Sequence, residues 1–599
     1  MPLPSNERLI DFSDHVPWQQ VEDQKRLFNQ EIKSYAARKS NEPISLEHLS
    51  EVLDTPVTRY FPDVPDEHAN IFIAEVEGHQ YILGSTVSGR YRSGKTLAQS
   101  IVGYNLNPSV NHSNIHETEA TSTKMRALGA EIELGLLHKD GTPPNEDEMQ
   151  TFIHTYQNNA RRIGITPQID REACQFQVEA HVAPGVGYHQ TRRSLDGIIS
   201  ALMASSNVTG LATAIMSSYP IKTDFTLTDD PKVETAADLM ISVNEKFPEY
   251  GQKLADAKQR YNITPESNFV QVFRLQGCHI HLDLAGRSEA LGLLAFYTML
   301  RSASAIANSA FLKGGPFVNG TCDEELICTR EYLRGTTVTG RYMDIPVTPH
   351  LSDKGLGDYA HLLKSEKVNA VARGLLCEDG LGDRISVMHN PIGRLRPDLG
   401  SRKRICTLES TGMPVNLSAS RQAAVLTDFE FSQAIIENYF RKHGCNLEPM
   451  YEDRELWAIL GPLDTANYQF LHEQSDRQGT DSTIKTPDGR EMSLDEFYDL
   501  KRIYMHKHLI DITHQILPRD IDDVYVSIQR MLVPPSGQQA ETIEQYIIDP
   551  KLRSTGNWGM ILRNAFIEEG GVPGTQNPDA VLRVVNRVHT ALYKRYVGV

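Results

Sequence analysis

Carboxylates and imidazoles recur at alternate positions in short apolar runs of this chain, and alternation is how a strand presents side chains to one face. In MRALGAEIELGLL, Glu131 and Glu133 share a face while Ile132 and Leu134 take the other. Two adjacent carboxylates repel unless a cation lies between them, and carboxylate oxygens are ligands that magnesium and manganese prefer. CQFQVEAHVAPG repeats the theme with Glu179 and His181, Gln177 alongside. LQGCHIHLDL alternates His279 and His281 with Ile280 and Leu282, and Asp283 is expected on the opposite face. A solvated strand face or a pair of surface histidines would show the same alternation, so each run alone leaves both readings open.

A fourth run, RLRPDLGSRKRICTLESTGMP, gathers Arg394, Arg396, Arg402, Lys403 and Arg404 ahead of Glu409. Guanidinium groups on an acidic chain suit phosphate, although a solvated basic turn would have the same composition. Together, Glu131, Glu133, Glu179, His279 and Glu409 make a set that would hold two or three divalent ions against the phosphates of a nucleotide.

Residues so far apart meet only if their strands lie together in one sheet. From Met125 to about Ile436, short polar-faced strands alternate with helices, among them Arg193 to Met216 and Ser288 to Phe311, each beginning near a serine able to cap it. These helices are expected to cover one face of the sheet. Residues 1–124 read as an N-terminal extension, with a hairpin turning at Gly78 and a polar linker ending near Lys124. Residues 437–599 read as mainly helical, with a Ser493/Glu496 capping box after the hairpin-like TPDGRE. The fold class is α+β.

The net charge of −17, from 77 acidic and 60 basic residues, argues against a nucleic-acid or anionic-membrane binder. No apolar run approaches the roughly 20 residues of a spanning helix, and the N-terminus lacks a signal-peptide core, so a cytoplasmic protein is expected. Seven scattered cysteines without a CxxC pair agree with a reducing compartment and are expected to be buried thiols.

The order GAEIEL, QVEAHVAP, GCHIHLDL, ANSAFLKGGPFVNGTCDEELICTREYLR and RKRICTLES resembles the carboxylate-amine ligases of the glutamate-cysteine ligase type, members of the glutamine synthetase fold superfamily, over about residues 125 to 425. The resemblance implies a curved, mainly antiparallel sheet backed by helices, ATP with Mg2+ or Mn2+, and small-molecule acid and amine substrates, and leaves room for a homo-oligomer. It implies that Glu131, His279 and Glu409 hold one metal, Glu133 and Glu179 another, and that His281 approaches the nucleotide phosphates with Arg396, Arg402 and Arg404. Arg330 would bind a substrate carboxylate or the transferred phosphoryl group. Where the family carries an arginine two residues after the last glutamate, this chain has Thr411, so Arg404 or Arg402 would have to serve. The glycine-rich Lys313–Asp323 segment is a candidate lid.

One competing motif, Gly89 to Thr96 (GRYRSGKT), fits a phosphate loop but lacks the parallel strand–helix context and the acidic residue such a loop needs. The same acids and histidines would also serve a phosphotransferase of this fold, resembling the guanidino kinases. A non-catalytic homologue acting as a binding or assembly module would retain them as well.

Overall fold

A computed structural model describes residues 50–51, 57–59, 71–76, 79–87, 98–105, 125–223, 227–228, 248–263, 273–283, 289–336, 394–396, 407–443, 447–513, 515–532 and 556–598. The first strands, β1 (Val57–Arg59), β2 (Ile71–Val76), β3 (His79–Val87) and β4 (Ala98–Asn105), form a four-stranded antiparallel sheet in chain order. The expected hairpin is present as β2 against β3, with Val76 opposite His79. Gly89 to Thr96 lies outside the described residues. The strands on either side of it pair antiparallel, Val87 with Ala98, and the segment after it is a strand where a phosphate loop would open a helix.

The central sheet takes β5 (Leu128–Leu137), β6 (Ile169–Arg171), β7 (Gln177–Gly185), β8 (Ala212–Ala214) and β9 (Gly277–Asp283). After a small separate hairpin, β10 (Phe317–Val318) with β11 (Thr321–Cys322), it is completed by β12 (Arg394–Arg396) and β13 (Thr407–Pro414). Its order is β12-β13-β9-β5-β7-β6, with β8 on β5, and every pairing is antiparallel. This arrangement meets the requirement set by the sequence: the four acid- and histidine-bearing strands are mutual neighbours at its centre. Leu134, Val178, Ile280 and Leu408 on the other face are fully buried.

Of the helices α1 (Glu146–Ile163), α2 (Tyr188–Thr209), α3 (Pro248–Arg260), α4 (Glu289–Leu300), α5 (Ala303–Leu312), the short α6 (Arg330–Arg334) and α7 (Ala419–His443), α1, α2, α4, α5 and α7 share the buried cluster of that apolar face, while Ala257 of α3 and Leu333 of α6 belong to a separate small cluster. Helix α1 is fixed at both ends, by a capping box between Asn145 and Glu148 and by Gly164, whose φ of 75° suits only a residue without a Cβ. Two helical expectations need correction. The helix from Arg193 begins earlier, at Tyr188 behind Gly187 and not at a serine, and stops at Thr209, where Gly210 turns left-handed. The alanine-rich stretch beyond it is strand β8. Ser288 to Phe311 is broken after Leu300, because Arg301 turns away to lie over the Tyr468 ring and donate to the Leu463 carbonyl, while Ser302 is extended. Asp283 also departs from expectation: β9 runs regularly to its end, so the period of two keeps Asp283 on the side of His279 and His281.

Beyond residue 443 come α8 (Thr465–Gln478), α9 (Leu494–Ile512), α10 (Pro518–Leu532), α11 (Trp558–Glu568) and α12 (Pro578–Tyr596). The Ser493/Glu496 capping box forms, after a hairpin of β14 (Thr483–Lys485) and β15 (Glu491–Ser493). These helices share one continuous core with the sheet, Trp558, Val581 and Tyr498 belonging to the same buried cluster as Leu134 and Ile280. A buried polar knot ties them to it: Lys501 Nζ lies 2.5 Å from Asp428 Oδ2, and Tyr525 donates to Asp428 Oδ1 at 2.6 Å. Cys174, Cys278, Cys322 and Cys328 are buried free thiols, and no helix among the described residues is long and apolar enough to cross a membrane.

Candidate metal centre and its cavity

Strand register assembles the polar face. Glu131 on β5 is paired with His279 on β9 and with His181 on β7; one step along, Glu133 is paired with Glu179, which is paired in turn with Asp170 on β6. On the other side Glu409 of β13 is opposite His281, and Arg394 of β12 is opposite Glu409. A slip of one residue in any of these ladders would turn the acids into the apolar core, so burial of the opposite face enforces the site's geometry.

His279 stands at the middle. Its Nδ1 lies 3.4 Å from Glu131, 3.5 Å from Glu179 and 3.7 Å from Glu409, and its Nε2 lies 3.4 Å from Glu133. These separations exceed those of good hydrogen bonds. An ion held roughly 2.1 Å from each ligand spaces neighbouring ligands roughly 3–4 Å apart. Three sets bring their ligand atoms within 4.8 Å of one another: Glu131, His279 and Glu409; Glu131, Glu179 and His181; Glu133, Glu179 and His279. The donor chemistry, carboxylate oxygen with some imidazole nitrogen, fits Mg2+ or Mn2+. Asp170 Oδ2, 2.9 Å from His181 Nε2, is placed to orient that ring.

The electrostatics express crowding of like charge. Burial would raise the Glu131 carboxyl, yet the adjacent His279 and His281 imidazoles outweigh it and hold the group well below the usual carboxylate range. Glu179 goes the other way, pushed well above that range by burial, with Glu131 and Glu172 adding repulsion. Burial opposes charge on His279, but the surrounding carboxylates, Glu133 foremost, raise it well above an ordinary histidine. A divalent ion held here would supply positive charge to the crowded carboxylates and favour their ionised forms.

Beside this cluster is a cavity of about 240 Å3, lined by Glu133, Glu172, His279, Arg330, Arg334 and Thr411 among others. Arg330 Nη2 donates to the Thr411 carbonyl at 2.7 Å and Arg334 Nη1 to the same oxygen at 3.3 Å. A Cβ at Gly277 would lie 2.7 Å from Arg330 Nη2 and 3.2 Å from Glu133 Oε2, so a larger residue there would displace the ends of both side chains. Glu172, pushed up to about 7 by burial and then by the Glu133 charge, adds a further carboxyl group to the lining.

Glu131, Glu133, Glu179, His279, His281, Glu409 and Arg330 are thus gathered in one place. Arg396 is on β12, opposite Thr407. Arg402 and Arg404 lie outside the described residues. Glu172, Asp170 and Arg334 carry weaker sequence signals: Asp170 is in, and Glu172 directly follows, a three-residue strand too short to show alternation, while Arg334 follows Arg330 by one helical turn, a spacing visible in REYLR. The lid expectation fails for Lys313–Asp323. Every residue of it is buried, with Gly320 donating to the Pro220 carbonyl (2.8 Å), its own carbonyl accepting from Asn577 (2.8 Å), and Asp323 gripped by Arg260 and Tyr261.

No protein-family model and no curated protein matches this chain. Among solved structures, the bifunctional glutathione synthetase of Pasteurella multocida is similar over 79% of this chain and 56% of its own, at 13% identity and a TM-score of 0.40, so the chain spans little more than half of that protein. The glutamate–cysteine ligase of Francisella tularensis, solved with AMP, is similar over 79% of this chain and 94% of its own, at 10% identity and a TM-score of 0.39. The complex of the prokaryotic ubiquitin-like protein Pup with its ligase PafA gives 77% and 72%, at 11% identity and a TM-score of 0.34.

Proposed function

We propose that this chain is an ATP-dependent carboxylate-amine ligase of the glutamate-cysteine ligase type, with residues 125–436 forming a glutamine-synthetase-like catalytic unit. The observation that carries the reading is the set of overlapping triads sharing Glu131, Glu179 and His279 next to a cavity walled by two arginines. An acidic, metal-ready surface meeting a cationic wall suits a metal-bound nucleotide and an acidic co-substrate, because each supplies the charge the other wall needs.

In this reading Glu131, His279 and Glu409 hold one Mg2+ or Mn2+, and Glu133 and Glu179 hold a second. When bound, the ions neutralise phosphate oxygens and align the transferring group. His281, 3.0 Å from Glu131, steadies that carboxylate on the side where the nucleotide phosphates would lie. Arg330 holds the acid while its carboxylate takes the γ-phosphoryl group of ATP and ADP leaves; an amine then attacks the carbonyl of the resulting acyl phosphate, phosphate departs, and the amine proton is lost to give the amide. The acid is an amino acid such as glutamate.

A screen of amino-acid and amine pairs with MgATP tests the proposal, scored by ADP release that requires the amine and by an amide product in the mass spectrum. ADP release without amide would instead favour the phosphotransferase, whereas Thr411 in place of the family arginine motivates the non-catalytic module, which a melting temperature unmoved by MgATP would support.

A further inference from the structure

We infer that Arg334 joins Arg330 to form an oxyanion subsite on the inner wall of the cavity, where a carboxylate or phosphoryl group is held between two guanidinium groups. The inference deepens the function proposed above and rests on it for the neighbouring metal set.

A spacing of four residues puts both guanidinium groups on one side of α6. Both line the cavity. Both are anchored from behind by the same two acceptors. Glu331 Oε1 takes Arg330 Nη1 at 2.6 Å and Arg334 Nη1 at 3.2 Å, and the Thr411 carbonyl takes a second N–H from Arg330 and another from Arg334. The two forks are therefore fixed before any ligand arrives, which is what precise recognition of a planar oxyanion requires.

A second observation points to the ligand. Arg330 is 3% exposed, and its Nε–H has no hydrogen-bond partner among the described residues. Leaving a buried charged donor unsatisfied is costly, and the cavity that Arg330 lines is the route by which an acceptor would reach this side chain. Glu133 and Glu172 also line the cavity, and as carboxylates they repel an anion that the two arginines attract. Glu133 is also 3.4 Å from His279, so an oxyanion seated here lies next to the metal set.

The test compares wild type, Arg334→Ala and Arg334→Lys by calorimetric titration with MgATP, MgADP, inorganic phosphate and L-glutamate, with Mn2+ uptake followed in parallel by electron paramagnetic resonance. Arg334→Ala is expected to weaken at least one anion by about ten- to hundredfold, the loss of a charge-assisted hydrogen bond, while Mn2+ affinity stays within about twofold. Lysine restores charge without the fork and recovers part of the loss. It also keeps the test decisive if circular dichroism shows the alanine variant unfolded, because the lysine variant must then show the same loss in smaller measure. Loss for MgATP with MgADP unchanged puts the terminal phosphoryl group in the subsite; loss for glutamate alone puts a carboxylate there. Equal binding of every anion to all three proteins, or binding to none, overturns the subsite. Failure of the wild type to take up Mn2+ overturns the metal reading instead.

Discussion

Glu131 and His279 face each other across the β5–β9 ladder, and each other member of the cluster lies within reach of one of the two. Glu131 gathers His181 and His281; His279 gathers Glu133, Glu179 and Glu409. The centre thus has two hubs on adjacent strands, and damage to a hub should spread further than damage to its rim. Asp170→Asn, which alters the group beside the outward nitrogen of His181, is expected to weaken Mn2+ binding by the ~10–100-fold typical of an outer partner. His279→Ala should exceed that range, as read by Mn2+ titration.

The competing phosphate-loop motif gives a clean contrast. Lys95→Ala should leave MgATP affinity unchanged, since the strands around it reverse direction and no helix follows. Glu133→Ala should abolish metal-dependent nucleotide binding. The reverse pattern in a binding titration would mean that the nucleotide belongs to the N-terminal sheet.

Glu430, buried on α7, accepts the Gly187 N–H at 3.0 Å, and burial pushes its carboxyl up to about 8. The unfolded value is near 4.5, so the folded protein keeps a proton that the unfolded chain releases. Stability from this group is complete below about pH 4.5 and declines as pH rises toward 8, at ~1.4 kcal/mol per unit of difference. Glu430→Gln keeps an acceptor for Gly187 without the charge. Melting temperatures between pH 5 and 8.5 should therefore fall less in the variant, which should be the more stable protein at pH 8.

The Lys501–Asp428 pair joins α9 to α7 with both side chains at 0% exposure. Lys501→Met strands a buried carboxylate and should cost ~3–5 kcal/mol in urea unfolding. Adding Asp428→Leu removes the stranded charge, so the double variant should lose less than the sum of the two singles. It will not reach wild-type stability, because Tyr525 and Asn308 also donate to Asp428.

Much of the site was legible because a period of two survives any uncertainty about which strands are neighbours. Alternation put Glu131 with Glu133, Glu179 with His181 and His279 with His281 on shared faces before their order in the sheet was known, while Glu409 and the assignment of the set to metal came from the ordered resemblance. Fold details set by tertiary contact were not legible: the break at Arg301 depends on Tyr468 and Leu463, far along the chain, and β8 has a composition that suits a helix equally well. The supposed lid fails for a related reason. Glycines at Gly314, Gly315 and Gly320 suggest freedom, whereas a Cβ at each would collide with Trp558, Ser217 or Pro578. There glycine permits close packing.

Behind the arginines, Lys313 on the chain just after α5 is paired with Asp476 of α8, 163 residues later, and the Asp476 carbonyl accepts the amides of Ile327 and Cys328 that lead into α6. Synthesis at ~5–20 residues per second separates the two partners by about ten to thirty seconds. During that interval the segment carrying Arg330 and Arg334 exists without the helix that braces it. A protein released early from the ribosome would carry the acids and histidines of the metal centre while lacking a rigid cationic wall, so finishing the last third of the chain sets the moment at which the cavity acquires its shape.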